Sequence, residues 1–375
     1  MVKKKDNSWK IINKEPLGSY SLRNILRLLV ISKFKISLRY VPRFLWAILL
    51  SSVTLPLRVI EKIRFNKKIK TQQIEKDPIF IIGFYRTGTT FLHTLLSLDD
   101  RLGYMSNLDG LIPLFNLSFS KLARRLLKKS LPKTRPMDNI EYHLDGPVEE
   151  EYAVSTCYEN GITNAIIFPK KFNYFTEFLF SDREPLKVSE KWKKIYHYFI
   201  QKCTLKNNGK QLALKNPANS CRIKLLLKMY PNAKFIYTYR NPYTLFCSMK
   251  LLFQKMMEIS SLQTWDDKEI ENSFLEMISK SFSRFEITKT LIPPQNYYEM
   301  RYEDFIKNPL PYLKEIYKNF GLETFDNIEP VLFHYLQTMK NYIANTHTIT
   351  PEIIKTVNSH WDEIRLKYGY ECLDP

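Results

Sequence analysis

The sequence predicts an α/β protein: a P-loop-like parallel sheet covered by helices on both faces, preceded by an N-terminal helical arm. Three observations carry that expectation. Strand-like apolar runs alternate with helix-like runs from about residue 78 onward, the pattern of parallel strands joined by crossover helices. The run Ile79-Phe80-Ile81-Ile82 stops at Gly83, and a tight turn leads into Phe91-Leu92-His93-Thr94-Leu95-Leu96. Residues 1 to 70 hold 17 Lys and Arg against Asp6, Glu15 and Glu61, a balance of +14 out of a total of +19.

The arm comes first. Its charge leaves only +5 for the remaining residues, which argues against a nucleic-acid-binding face on the body and suits an anionic membrane surface. Phe44 to Leu57 is uncharged over 14 residues, bracketed by Arg43 and Arg58 and interrupted by Pro56. A spanning helix needs about 20 apolar residues. The run begins too late for a signal peptide and has no small-residue cleavage site. Two readings stand: a helix lying in a membrane interface, or a helix packed on the body. The boundary is placed at residue 72, with 73–375 as the main domain.

At 375 residues, with 44% hydrophobic and 14% aromatic side chains, the chain can bury a sizeable core. The cysteines, Cys157, Cys203, Cys221, Cys247 and Cys372, are scattered, with no C-x-x-C pair. They imply neither a disulfide framework nor a zinc site, and a reducing, cytoplasmic compartment is the expectation.

Gly83-x4-Gly88-Thr89-Thr90 has P-loop spacing, with Thr89 where the loop lysine belongs. Backbone amides of such a turn, and the positive end of the helix after it, hold phosphate. The missing lysine argues against a nucleoside triphosphate, and Arg86 offers a cation to a shorter anion. Residues 101–183 are broken by Pro113, Pro132, Pro136, Pro147 and Pro169 and read as a substrate-side insertion. Residues 186–205 have a helical period.

Further strands are expected at Gln211 to Lys215, at Ala233 to Arg240 and at 297–302. Helices are expected over about 219–229, after Pro242, and over 309–320. Arg86, Lys215 and Arg240 each fall just past a strand, where open parallel sheets bind ligands. If these strands are neighbours, three cations converge. Arg240 and Ser248, eight positions apart, can grip a phosphate monoester.

These segments carry a resemblance. The chain resembles sulfotransferases that use 3′-phosphoadenosine-5′-phosphosulfate (PAPS). Gly83 to Thr90 resembles the family's 5′-phosphosulfate loop, which assigns Arg86, Thr87, Gly88, Thr89 and Thr90 to the donor. Tyr239-Arg240-Asn241-Pro242 with Ser248 resembles its 3′-phosphate site. Arg301-Tyr302-Glu303-Asp304-Phe305 with Asn308-Pro309 resembles a further recurrent segment. Arg135 to Asn139, Pro147-Val148-Glu149-Glu150-Glu151 and Tyr368-Gly369-Tyr370 are similar to the bacterial branch that includes a mycobacterial sulfotransferase acting on a hydroxylated menaquinone. One departure stands out: the branch has histidine where Asn219 follows Leu214-Lys215-Asn216-Pro217-Ala218.

The resemblance implies in-line transfer of a sulfonate group to a hydroxyl of a lipid or other hydrophobic acceptor, with no metal required. Arg86 and Lys215 would stabilise the leaving phosphate, and a base must take the acceptor's proton. Glu149 and Glu150, with Glu151, are the leading bases, and Glu149 comes first. His93, His143 and His347 are weaker candidates. The aromatics Tyr152, Tyr158, Phe168, Phe172, Tyr174, Phe175 and Phe178 read as core before cleft. Two other classes remain open: a P-loop kinase or NTPase, and a non-catalytic nucleotide-binding membrane adaptor, which Asn219 alone favours.

Overall fold

A computed structural model describes residues 16–128, 134, 141–180, 186–322, 325–339 and 346–375. Its centre is a five-stranded, all-parallel sheet: β1 (Ile79–Gly83), β2 (Leu102–Gly103), β3 (Gln211–Lys215), β4 (Lys234–Tyr239) and β5 (Tyr297–Arg301), in the order β2-β3-β1-β4-β5. Register pairs Ile81 with Lys215, Gly83 with Thr238, and Tyr239 with Arg301. The carboxyl ends of β3, β1 and β4 therefore lie side by side, and β1, from which the chain reaches β3 on one side of the sheet and later β4 on the other, is the switch point.

Alternation along β1 covers both faces. Phe80 and Ile82 join Leu212, Leu214, Phe235 and Tyr237 against one layer, which includes α10 (Leu186–Lys206) and α11 (Ile223–Met229). Ile79 and Ile81 join Ala213, Ile236 and Met300 against α4 (Thr89–Ser97), α14 (Tyr302–Phe305), α15 (Pro309–Asn319) and α16 (Glu329–Thr338). A strand apolar at every position is what burial on both faces requires. The helix expected over 219–229 is a 3-10 turn, Pro217–Cys221, followed by α11.

Residues 101–183 differ from expectation. Their described part is mostly short helices: α5 (Asn107–Leu111), α6 (Asn116–Leu127), α7 (Glu151–Ser155), α8 (Ile162–Ile167) and α9 (Phe172–Glu177). All but α6, which has 12 residues and is kinked at Phe119, are too short to show a period, and Pro113, Pro147 and Pro169 lie between or at the start of helical pieces. Pro132, Pro136 and the Arg135–Asn139 segment lie outside the described residues. Tyr158, Phe168, Phe172, Phe175 and Phe178 are core, whereas Tyr174 is exposed.

The arm forms α1 (Leu22–Ile31), α2 (Val41–Val53) and α3 (Leu55–Thr71). It is packed on the body against α8, α12 (Pro242–Ser260), α13 (Asp267–Thr288) and α17 (Pro351–Lys367), sharing one apolar cluster with them. Polar anchors fix the docking. Arg43 donates to the carbonyls of Ser261 (2.7 Å) and Glu258 (3.0 Å). The Asn24 amide donates to the carbonyls of Ser155 (2.9 Å) and Tyr158 (3.3 Å). Arg58 donates to the Tyr20 and Gly18 carbonyls at 2.5 and 3.0 Å, holding the arm's own turns together.

Glu61 on α3 pairs with Lys202 on α10, both almost fully buried, and accepts from the Ser118 amide at 2.7 Å. Removing one partner of a buried pair strands the other charge. Glu61→Ala is therefore expected to destabilise the whole domain by about 3–5 kcal/mol. Urea unfolding followed by far-UV circular dichroism measures this, and an unchanged midpoint would show that the arm's docking does not depend on the pair.

Candidate active site

The turn after β1 is built from two close approaches. Gly83 has φ +148°, and a Cβ there would lie 2.5 Å from the Thr238 carbonyl oxygen on β4. Gly88 has φ +83°, and a Cβ would lie 2.4 Å from the Tyr302 ring. Neither position accepts a side chain without moving its neighbour. Between them, Arg86 holds φ +72°, a conformation that a long side chain adopts only when its surroundings impose it. Those surroundings are visible: Ser220 Oγ bridges the Gly83 amide and carbonyl at 2.9 Å each. The Thr87 hydroxyl donates to the Phe84 carbonyl at 2.7 Å and lies 2.9 Å from that of Thr238. Thr87, assigned to the donor from sequence, is fully buried and braces the loop from beneath.

A cavity of about 1210 Å³ opens above the sheet edge, and Arg86, Gly88, Thr89, Thr90, Lys215 and Arg240 all line it. The three cations do converge, because β3, β1 and β4 are neighbours. Arg86 Nε donates to Ser248 Oγ at 3.0 Å, and Arg240 Nη1 donates to the Arg86 carbonyl at 3.0 Å. Arg240 also lies over the Tyr302 ring, 4.6 Å from its centroid. Ser248, buried on α12, thus meets Arg240 through Arg86 rather than directly. Burial pulls the Arg240 pKa down, and the Arg86 charge adds to that effect. His347 lies within the same field: burial, then Arg240 and Arg86, lower its pKa. Two guanidinium groups held side by side are suited to bind an anion.

The segments with no sequence-derived role form the floor of this cluster. Glu303 accepts from the Asn241 amide (2.8 Å) and from the Tyr370 hydroxyl (2.8 Å). Arg301 lies over the Tyr370 ring at 4.3 Å, and Tyr239 stacks on Tyr368 at 4.1 Å. Asn241 in turn caps α12, accepting from the Tyr243 amide at 3.0 Å. Their recurrence as motifs was the only sequence signal; the contacts join residues more than 60 positions apart.

The acidic run splits three ways at the start of α7. Glu149 lines the cavity, and Lys215 Nζ donates to its Oε1 at 2.5 Å. Glu150 turns away from the cavity and is fully buried, accepting at Oε1 from the Tyr196 hydroxyl (2.8 Å) and the Asn219 amide (2.7 Å). Burial raises its pKa. Glu151, also buried, pairs with Arg222 at 2.7 Å and accepts from the Asn216 amide at 2.9 Å. Glu150, expected from sequence to share the catalytic role, therefore underlies the site without facing it. Asn219, the departure from the histidine of the branch, belongs to that same layer under the site. Its substitution does not remove a group from the cavity wall, which weakens the feature that favoured an adaptor.

Among the described residues, no histidine lines the cavity, and Glu149 is its one carboxylate. His93 is buried with Nε2 at 3.0 Å from the Ala213 carbonyl, and burial pushes its pKa down to about 3. His143 is exposed beside Glu141. Sequence reading missed Tyr85. Its hydroxyl is buried without a hydrogen-bond partner among the described residues, its ring lines the cavity, and burial and then the charge of Glu149 raise its pKa. Much of the remaining lining is apolar, with Leu57, Phe115, Phe119, Ile166, Phe253 and Met256 among others, though Asn107, Thr163, Lys307, Asn308 and Gln337 also line it. A cavity of this size and lining suits a long hydrophobic molecule with one polar end.

A family model described as "Sulfotransferase family" matches residues 78–327. The chain is 32% identical over 360 residues to proteins of Mycobacterium tuberculosis and Mycobacterium bovis named omega-hydroxy-beta-dihydromenaquinone-9 sulfotransferase Stf3, covering 93% of this chain and 90% of each relative. Among solved structures, sulfotransferase STF9 from Mycobacterium avium superposes with a TM-score of 0.70 at 15% identity, covering 95% of this chain and 98% of that one. Sulfotransferase STF1 from Mycobacterium tuberculosis superposes with a TM-score of 0.62 at 18% identity, covering 90% and 92%. At such identities the superpositions establish the fold.

The partition of the acidic run is testable through pH. A buried acid with a raised pKa gives stability that is whole below its ordinary 4.5 and falls as pH rises toward the raised value. Glu150→Gln keeps the Oε1 acceptor and is expected to abolish that slope while losing far less turnover than Glu149→Gln. Thermal unfolding across pH, paired with turnover, checks both. A Glu150→Gln loss as large as that of Glu149→Gln would return Glu150 to the reaction.

Proposed function

The chain belongs to the sulfotransferase family, and from that premise we propose that it moves a sulfonate group from PAPS to a hydroxyl of a lipid or other hydrophobic acceptor. The observation that carries this reading is one cavity with two ends: a cationic end at the sheet edge and a long apolar end. The similarity to relatives named for a menaquinone derivative supports an acceptor of that character.

The residues fit the donor. Amides at the start of α4, with Thr89, Thr90, Arg86 and Lys215, hold the 5′-phosphosulfate. Arg240 holds the 3′-phosphate. Ser248 orients Arg86, so the two phosphate positions are mechanically linked. The acceptor oxygen approaches from the apolar side, beside Glu149. A sulfur–oxygen bond forms to the acceptor as the bond from sulfur to the 5′-phosphate oxygen breaks. The electron pair leaves with the phosphate, where Lys215 and Arg86 stabilise it, and the acceptor's proton passes to Glu149. The Lys215–Glu149 ion pair holds the carboxylate in position until the acceptor arrives. Displacement of this kind rests on positioning and charge, so no metal is needed. The basic arm places the enzyme at the cytoplasmic surface of an anionic membrane.

Three outcomes test the roles. Glu149→Gln is expected to lower kcat by about 10²–10⁴ while leaving calorimetric affinity for adenosine 3′,5′-bisphosphate intact. Full turnover in that variant would place the base elsewhere. Arg86→Ala and Arg240→Ala are each expected to weaken bisphosphate binding by at least tenfold, about 1.4 kcal/mol or more, without a Mg²⁺ requirement. Preference for Mg-ATP over the bisphosphate would favour a kinase instead. Finally, His347 is expected to titrate below its ordinary 6.5 in the free protein. Bisphosphate should raise its pKa, because new negative charge offsets Arg86 and Arg240. NMR of the imidazole signal reads this directly, and a pKa unmoved by saturating ligand would place the phosphate away from that cluster.

A further inference from the structure

The outer surface of the arm has a feature that packing on the body does not explain. Leu45, Leu49 and Val53 recur every four residues on α2, and Leu55, Val59 and Ile63 do the same on α3. All six are exposed, Ile63 by 78%. A helix that merely covers a core turns such positions polar. On α6, which packs against α3, Leu122 and Leu126 are also exposed and at the same time line the cavity. Leu50 and Thr54, each one residue on from Leu49 and Val53, line the cavity from the arm's side. The apolar stripe and the apolar end of the cavity therefore border one another.

The exposed charges carried by α2, α3 and α6 themselves have one sign. On α3, Lys62, Arg64, Lys67, Lys68 and Lys70 are exposed, and the lone acid of α2 and α3, Glu61, is buried against Lys202. The α6 segment has no acid and carries Lys121, Arg124 and Arg125, with Arg124 paired to Asp145. An apolar face rimmed by cations complements a bilayer with anionic headgroups.

We propose that the outer face of α2 and α3, with the exposed edge of α6, is the surface on which this protein sits in an anionic bilayer, and that the acceptor enters the cavity sideways from the lipid between α6 and the arm. The face lies in the interface and does not span. No single described helix is long and apolar enough to cross a membrane, although the α2–α3 region, bent by 40°, passes on length and composition as a pair. Crossing would pull Arg43 and Arg58 from the backbone carbonyls that hold them. The docking surface stands on the arm's own residues; only the cargo depends on the sulfotransferase reading.

The test is co-sedimentation of the full chain with phosphatidylcholine vesicles and with vesicles also containing phosphatidylglycerol, at low and high salt. The protein is expected to sediment with the anionic vesicles and to be released partly by salt. The variant carrying Leu49→Glu, Val53→Glu and Ile63→Glu replaces no cavity-lining residue and is expected to lose at least about tenfold in vesicle partitioning. Its affinity for adenosine 3′,5′-bisphosphate should be unchanged, which separates a lost membrane face from a lost fold or donor site. Wild-type protein that ignores anionic vesicles, or a variant that still partitions normally, would overturn the proposal. So would a variant that becomes monomeric from a wild-type dimer while keeping its vesicle binding, since the face would then be covered by a second copy of the chain.

Discussion

The buried ion pair between Arg222 and Glu151 fixes what the site can do. It lies at the start of α7, directly after the turn that delivers Glu149 to the cavity. With Glu151 held by Arg222 and Asn216, and Glu150 held by Tyr196 and Asn219, two of three successive carboxylates are committed beneath the sheet edge. The third has one direction left, toward Lys215. Arg222 is itself wedged against the Trp192 ring at 4.9 Å, so the pair cannot drift. Isolated buried pairs add little to stability. This one earns its place by positioning, because geometry within a fraction of an ångström governs transfer between bound groups.

The same division of labour recurs in the loop after β1. Thr87, Ser220 and Thr238 contact nothing in the cavity, yet they determine where the amides at the start of α4 point. Ser248 acts on the anion site through Arg86. At both ends of the site a layer of fully buried polar groups supports a layer that faces the cavity, as preorganised sites require.

This layering also explains what could be read in advance. Short-range pattern is legible: β1, β3, β4 and β5, the Gly83–Thr90 turn, the helix over 186–205 and the helix after Asn241 follow from periodicity and punctuation. The convergence of Arg86, Lys215 and Arg240 was legible as a conditional, needing only that their strands be neighbours. The fate of each glutamate was not, since nothing in the string Glu149-Glu150-Glu151 says which will find Tyr196, Asn219 or Arg222 across gaps of 46 to 71 residues. The helices of 101–183 escaped for a different reason: α5, α7, α8 and α9 are shorter than the window in which a helical period shows, and α6 is kinked at Phe119. Arg43 and Arg58 looked like the flanks of a hydrophobic run; their backbone acceptors belong to the fold.

The Glu61–Lys202 pair has a consequence for how the chain folds. Because Lys202 sits on α10, inside one of the two layers that cover the sheet, the layer is electrostatically complete only when the arm is in place. Glu61 on α3 must therefore wait for a partner 141 positions downstream before its buried charge is matched. The arm and the sheet form one cooperative unit with high contact order, which favours slow, all-or-none assembly over a preformed sheet later decorated by a tail.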